Sequence, residues 1–194
     1  MANPVRLAEL LPGAPDVAVA GVSLNSRRVR PGELYAALPG QHTHGARFTA
    51  QAVAQGAVAV LTDHEGRALI DADVPVVVVD DPRTALAEVA AAVQGHPARS
   101  MRMFGITGTN GKTSTMFLLE AALANLGETV GTLGTIGFRV AGRQLERSRS
   151  TVTTPEAPDL QQLLADLRDA GATSVAMEVS SHALALHRVA GITF

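Results

Sequence analysis

Residues 105–115 read GITGTNGKTST, which places three glycines, one lysine and five hydroxyl residues within eleven positions. Glycines let backbone N–H groups point inward around an anion. Lys112 offers a point charge to the β- and γ-phosphates of a nucleotide, and the Thr113 hydroxyl offers a ligand to Mg2+. A loop placed between a strand and a helix also gains the positive end of the helix dipole. The chemistry implied is the binding of nucleotide phosphates together with Mg2+. Its cradle is Gly108, Thr109, Asn110, Gly111, Lys112, Thr113 and Ser114. The competing reading is a glycine-rich turn with a surface lysine. The spacing departs from a standard Walker A loop, because the position five residues before Gly111 is Ile106 and not glycine. That departure argues against a plain P-loop NTPase or kinase.

The elements around the loop follow an alternation of short apolar runs and helical patterns, which predicts an α/β protein. Strands are predicted at 17–24 (VAVAGVSL), 32–38, 57–61 and 75–80 (PVVVVD). A helix is predicted at 47–56 and another at 82–95, the second opened by Pro82 and closed by Gly95. HPARS (96–100) reads as a polar linker. It separates a small N-terminal α/β domain (1–97) from the start of a P-loop-type α/β domain with a mostly parallel sheet (98–194). There the pattern gives a strand at 101–107, the loop, a helix at 113–127 and a strand at 129–136. A polar loop or hairpin follows at 139–150. A helix at 155–171 carries Leu160, Leu163, Leu164 and Leu167 on one face, and a strand closes the pattern at 173–179. The sequence stops within an apolar run, VAGITF. Three or four strands after residue 100 would leave a sheet edge open, so the expectation is the front part of a longer chain.

Bulk properties narrow the class. Of 194 residues, 46% are hydrophobic and only 3% aromatic, so the core must be aliphatic. The net charge of −2 gives no general nucleic-acid surface. There are no cysteines, which excludes disulfides and thiolate metal sites and fits a cytoplasmic protein. No apolar run approaches the roughly 20 residues of a membrane helix, so no membrane insertion is expected. In 41-QHTHG-45 two histidines stand two residues apart without an evident third metal ligand.

The sequence GTNGKT after an apolar strand resembles the loop of the Mur ligase superfamily, which folylpolyglutamate and cyanophycin synthetases share. Three further stretches resemble the MurE type within it. They are 24-LNSRRVRPGELYAALPG-40, with Asn25 where that type usually has Asp, then 153-TTPE-156 and 178-EVSSHALALHR-188. The four stretches occur in the expected order over residues 24–188.

The resemblance implies an ATP-dependent ligase of peptidoglycan precursor synthesis. Its partners would be small molecules, a UDP-MurNAc-dipeptide and an amino acid, and the working state a monomer. Lys112, Glu178 and His182 are then the catalytic candidates, with Thr113 and Glu178 as metal ligands, since Mg2+ takes hard oxygen donors. Leu24, Ser26, Gln41, His42 and Thr43 would hold the nucleotide end of the substrate. Thr153, Thr154, Ser180 and Arg188 would hold the rest. Without the resemblance Thr153–Thr154 read as a helix cap, and the reading that competes with metal binding makes Glu178 a strand-end surface acid. His182 is then a helix-start residue and Arg188 a solvated charge. The family's carbamylated lysine and amino-acid-binding domain do not lie within 1–194, so these residues are expected not to ligate alone. Two alternatives remain, a related ligase adding to another muramyl intermediate or to a folate, the latter argued against by 24–40, and a non-catalytic nucleotide-binding module.

Overall fold

The structure, a computed structural model, describes residues 4–145 and 153–194. It divides into two compact units, one ending at Val93 and the other spanning Gln94–Phe194.

The first unit is built on a parallel sheet. Strands β1 (Val5–Arg6) and β2 (Ala18–Val19) flank helix α1 (Leu7–Leu10) and pair antiparallel with each other. Strands β3 (Gly21–Ser23), β4 (Glu33–Ala36), β5 (Ala59–Thr62) and β6 (Val76–Val78) then lie side by side in that order, all parallel. A 3-10 turn at Gly45–Phe48 leads into α2 (Thr49–Ala54), and α3 (His64–Arg67) joins β5 to β6. Helix α4 (Pro82–Val93) follows. Alternate strand residues feed two separate cores. Leu34, Ala36 and Leu61 pack with Leu86 and Val89 of α4, whereas Tyr35, Ala37 and Val60 pack with Ala46, Ala52 and Ile70. Burial on both faces is why these strands read as continuous apolar runs. The strand expected over 17–24 is two strands in two sheets. The chain changes sheet at Ala20, whose N–H donates to the Gly32 carbonyl.

The second unit opens with a 3-10 turn at Pro97–Ser100, within the segment expected as a linker, where Ala98 packs against the unit's core. Strand β7 (Arg102–Ile106) leads through the glycine loop into α5 (Lys112–Asn125) and back to β8 (Val130–Gly134). The polar segment after 139 is a hairpin, β9 (Gly137–Val140) with β10 (Arg143–Gln144). Its expected continuation over 146–150 lies outside the described residues. Helix α6 (Ala157–Asp169), β11 (Ser174–Glu178) and α7 (Ser181–Ala185) complete the unit. The sheet order is β10-β9-β8-β11-β7, with β8, β11 and β7 parallel and the hairpin antiparallel at the edge. The described strands after residue 100 number five, because the hairpin adds two that the apolar pattern does not signal.

One face of this sheet carries Met103, Leu133, Val175 and Met177 against Leu160, Leu163, Leu164 and Leu167 of α6. Strand and helix approach closely at Gly131, where a Cβ would stand 3.0 Å from Leu167 Cδ1. Helix α5 covers the other face with Met116 and Leu123, and leaves Leu118 (73%) and Leu126 (79%) exposed. The three parallel strands deliver their carboxyl ends, Ile106, Gly134 and Glu178, to one edge, the usual ligand position in an open α/β sheet.

Leu164 is fully buried on α6. Leu164→Ala is expected to destabilise the chain by about 2–5 kcal/mol through lost transfer energy and a residual cavity. Leu118→Ala should stay within about 0.5 kcal/mol. Urea unfolding of both variants checks the pair, and equal effects would contradict the placement of α6 as the core helix.

Candidate functional site

The loop between β7 and α5 turns on two glycines. Gly108 has φ +145° and Gly111 φ +81°, where a side chain would strain the backbone. The Gly111 carbonyl accepts from Thr115 N at 2.9 Å and so starts α5. Lys112 begins the helix, and its ammonium reaches back to donate to the Gly108 carbonyl at 2.7 Å. It is the only lysine in the chain; the other fifteen basic residues of the Lys plus Arg total are arginines.

Glu178 stands at the end of β11, with 1% of its surface exposed. Its Oε1 accepts from the Thr113 hydroxyl at 2.8 Å and from Thr135 N at 3.1 Å, and its Oε2 accepts from the Thr135 hydroxyl at 3.2 Å. Both oxygens therefore act as acceptors toward donors on two other elements, which offsets the cost of burying the group. The space for this carboxylate exists because residue 134 is glycine. A Cβ there would come within 2.4 Å of Glu178 Oε1.

The network extends outward from Glu178. The Thr135 and Thr153 hydroxyls meet at 3.2 Å. Thr154 Oγ1 donates to the Glu178 backbone carbonyl at 2.9 Å and accepts from Ser180 N at 3.1 Å. Ser180 caps α7 by accepting from Ala183 N at 3.1 Å. Arg188 donates Nη1 to the Thr154 carbonyl at 3.0 Å and pairs Nη2 with Glu156 at 2.7 Å. Its Nε is buried without a hydrogen-bond partner among the described residues. Arg188 is thus a tie between the 153–156 segment and the turn after α7, not a solvated charge.

A cavity of about 340 Å3 lies over this arrangement, lined by residues 109–114 with Thr135, Thr153 and Glu178. An ammonium, four threonine hydroxyls, a serine hydroxyl, an amide and a carboxylate thus face one space. Hard oxygens of Thr113 and Glu178 form a donor set that suits Mg2+. Of the expected residues, Thr154, Ser180 and Arg188 stand behind the lining, and His182 is exposed on α7 outside it. Sequence reasoning missed Gly134, Thr135 and Glu156. The available signal was position, since Thr135 directly follows the carboxyl end of a parallel strand.

In the first unit, Leu24 is half-buried against the core, and Ser26 is buried with its hydroxyl donated to Gln51 Oε1 at 2.7 Å. Gln41, His42 and Thr43 are exposed on a loop closed by the Pro39–His44 bridge. Tyr35 braces it by donating to the Gly45 carbonyl at 2.9 Å, and burial pushes its phenol above the ordinary value. His44 accepts from Ala46 N through Nδ1 and meets Asp63 Oδ1 through Nε2 at 3.1 Å, so both ring nitrogens are committed to the fold. Among the described residues no group of three His, Cys, Asp or Glu could hold a metal.

Sheet order, strand–loop–helix turn and strand-end carboxylate define an α/β unit of the P-loop type. Comparison with known proteins then gives its family. The pattern described as "Mur ligase family, catalytic domain" matches residues 18–94, and that of the "Mur ligase middle domain" matches 106–194; the chain belongs to the Mur ligase family. It is 52% identical over 180 residues to the UDP-N-acetylmuramoyl-L-alanyl-D-glutamate--2,6-diaminopimelate ligase of Streptomyces avermitilis, covering 92% of this chain and 35% of that protein. It is 46% identical over 179 residues to the UDP-N-acetylmuramyl-tripeptide synthetase of Leifsonia xyli subsp. xyli, covering 92% and 34%. A solved structure of a UDP-N-acetylmuramoyl-L-alanyl-D-glutamate--2,6-diaminopimelate ligase superposes with a TM-score of 0.79 at 28% identity, over 98% of this chain and 38% of that one. The chain thus spans about a third of the length of these relatives.

Thr135→Val removes the hydroxyl held between Glu178 and Thr153 and should cost about 1–3 kcal/mol, because a partly buried hydrogen bond to a charged group is lost. Thr135→Ser keeps the donor and should recover most of it. Chemical denaturation of the two variants decides. A serine as damaging as valine would show that the hydroxyl contributes nothing.

Proposed function

We propose that the chain provides the nucleotide-sugar-binding region and the ATP-binding region of a ligase. The ligase adds 2,6-diaminopimelate to UDP-MurNAc-L-Ala-D-Glu in peptidoglycan precursor synthesis. The observation that carries this reading is the meeting of the Thr113 hydroxyl and the Glu178 carboxylate at the mouth of a loop holding the chain's only lysine. The choice of amino acid rests on the similarity to 2,6-diaminopimelate ligases. Residues 1–97 are assigned to the uridine end of the substrate, through Leu24, Ser26 and Gln41–Thr43. Residues 98–194 are assigned to ATP.

Transfer of a phosphoryl group to the D-glutamate carboxylate brings two anions together, so charge neutralisation dominates the chemistry. Lys112 would leave the Gly108 carbonyl and turn to the β- and γ-phosphates. The loop N–H groups and the N-terminal dipole of α5 add to that field. Thr113 and Glu178 would hold Mg2+, which supplies the remaining positive charge. The acyl phosphate so formed is then open to attack by the incoming amine, giving an amide and phosphate. Thr153, Thr154, Ser180 and Arg188 would orient the acceptor substrate, and His182 would stand at the margin of the site. The working location is the cytoplasm, where UDP-sugars and ATP are both supplied. No helix among the described residues is long and apolar enough to cross a membrane.

Thermal-shift titration of the 194-residue chain tests the division of labour. ATP–Mg2+ and UDP-MurNAc are each expected to stabilise it. Lys112→Ala should weaken ATP–Mg2+ by about tenfold or more, the loss of one charge-assisted contact of about 1.5–3 kcal/mol. The same variant should leave the UDP-MurNAc shift unchanged. ATP stabilisation that survives the substitution would overturn the assignment of the cradle, and the absence of any UDP-MurNAc effect would overturn that of residues 1–97.

A further inference from the structure

The chain is nearly devoid of side chains that form stable acyl adducts. It contains no cysteine and one lysine. Its arginines stay protonated and are not nucleophiles. Acyl groups on histidine or on hydroxyls are labile. An acyl donor can therefore leave a lasting amide at two places, the α-amino group and Lys112. Lys112 is also singular in position. It is part of the cavity lining, only partly covered, and its Nζ lies 2.7 Å from the Gly108 carbonyl within a loop shaped to receive phosphate.

We propose that Lys112 is a modification site for acyl phosphates, the mixed anhydrides of a carboxylic acid and phosphoric acid. The proposal rests on the cradle reading above. A small acyl phosphate would seat its phosphoryl group on the loop N–H groups, which holds the acyl carbon beside the Lys112 amine. Holding the two reactants together raises the effective concentration of one at the other. The free-base form of Nζ attacks the acyl carbon. A C–N bond forms, the C–O bond to phosphorus breaks, inorganic phosphate leaves with the electron pair, and the amine proton passes to phosphate or water. The product is an uncharged amide at the cradle's only lysine. It weakens nucleotide binding by removing the charge of that lysine. The reaction is a hazard of the ligase's own chemistry as well as a means of regulation from outside, because the proposed intermediate is itself an acyl phosphate.

The test compares two acetyl donors on the intact 194-residue protein at mildly alkaline pH. Acetyl phosphate carries a phosphoryl group, and N-hydroxysuccinimidyl acetate carries none. Peptide mass spectrometry gives the ratio of labelling at Lys112 to labelling at the α-amino group. That ratio is expected to be at least about tenfold higher with acetyl phosphate. An excess of ADP–Mg2+ should suppress the Lys112 label alone, and the labelled protein should lose its ATP–Mg2+ thermal shift. Equal ratios for the two donors would overturn the proposal, as would Lys112 labelling indifferent to ADP–Mg2+. If the unlabelled protein shows no ATP–Mg2+ shift, the cradle reading falls, and this inference with it. If the shift is present and the ratios are equal, this inference alone falls.

Discussion

A carboxylate with 1% of its surface exposed holds the carboxyl edge of the second sheet together. Left bare, a buried charge of this kind costs several kcal/mol. Glu178 instead receives hydrogen bonds from the first turn of α5 through Thr113 and from the end of β8 through Thr135. One side chain at the end of β11 thus fixes where the phosphate-loop helix starts and where the neighbouring strand stops. Gly134 leaves the space, since any Cβ there would collide with the carboxylate. The segment that follows is tied to the same point, through Thr154 on the Glu178 carbonyl and Arg188 on the Thr154 carbonyl.

This arrangement places structural and chemical duties on the same atoms. The Thr113 hydroxyl donates a hydrogen bond to Glu178 here, and the same two oxygens are those proposed to receive a divalent cation. The bond between them keeps the pair preorganised, so little rearrangement is needed when positive charge arrives. The use of lysine at one place only, in a chain otherwise furnished with arginine, fits the same logic. A compact ammonium on a flexible stem can move from a loop carbonyl to a phosphate, whereas a planar guanidinium is suited to fixed paired contacts such as Arg188 with Glu156.

The larger outlines were legible in the sequence because they rest on local rules. Pro82 opens α4, Gly111 precedes α5, and the leucine spacing over 160–167 identifies the buried face of α6. The elements that escaped are those whose signal is tertiary. The strand over 17–24 looks continuous in hydropathy, and only its two different pairing partners divide it. The hairpin at 137–144 answers to the polar loop or hairpin expected over 139–150, but its pairing at the sheet edge rests on hydrogen bonds that composition does not report. At the site, the loop and Glu178 were legible from residue type and order. Thr135 was not, because a single threonine after a strand has no spacing to mark it. Residue type alone leaves Arg188 open between a ligand contact and a surface charge, and its ties to Thr154 and Glu156 arise from a fold that brings residues 154 and 188 together.

The central claim is that Glu178 is the carboxylate through which a divalent cation strengthens nucleotide binding. Glu178→Gln keeps the size of the side chain and an acceptor for Thr113, so the fold should persist. Isothermal titration with ATP in the presence and absence of Mg2+ measures the enhancement that the cation gives. The enhancement is predicted to fall by about tenfold or more in the variant, about 1.4 kcal/mol at least, while metal-free binding is retained. An unchanged Mg2+ enhancement in Glu178→Gln would contradict it.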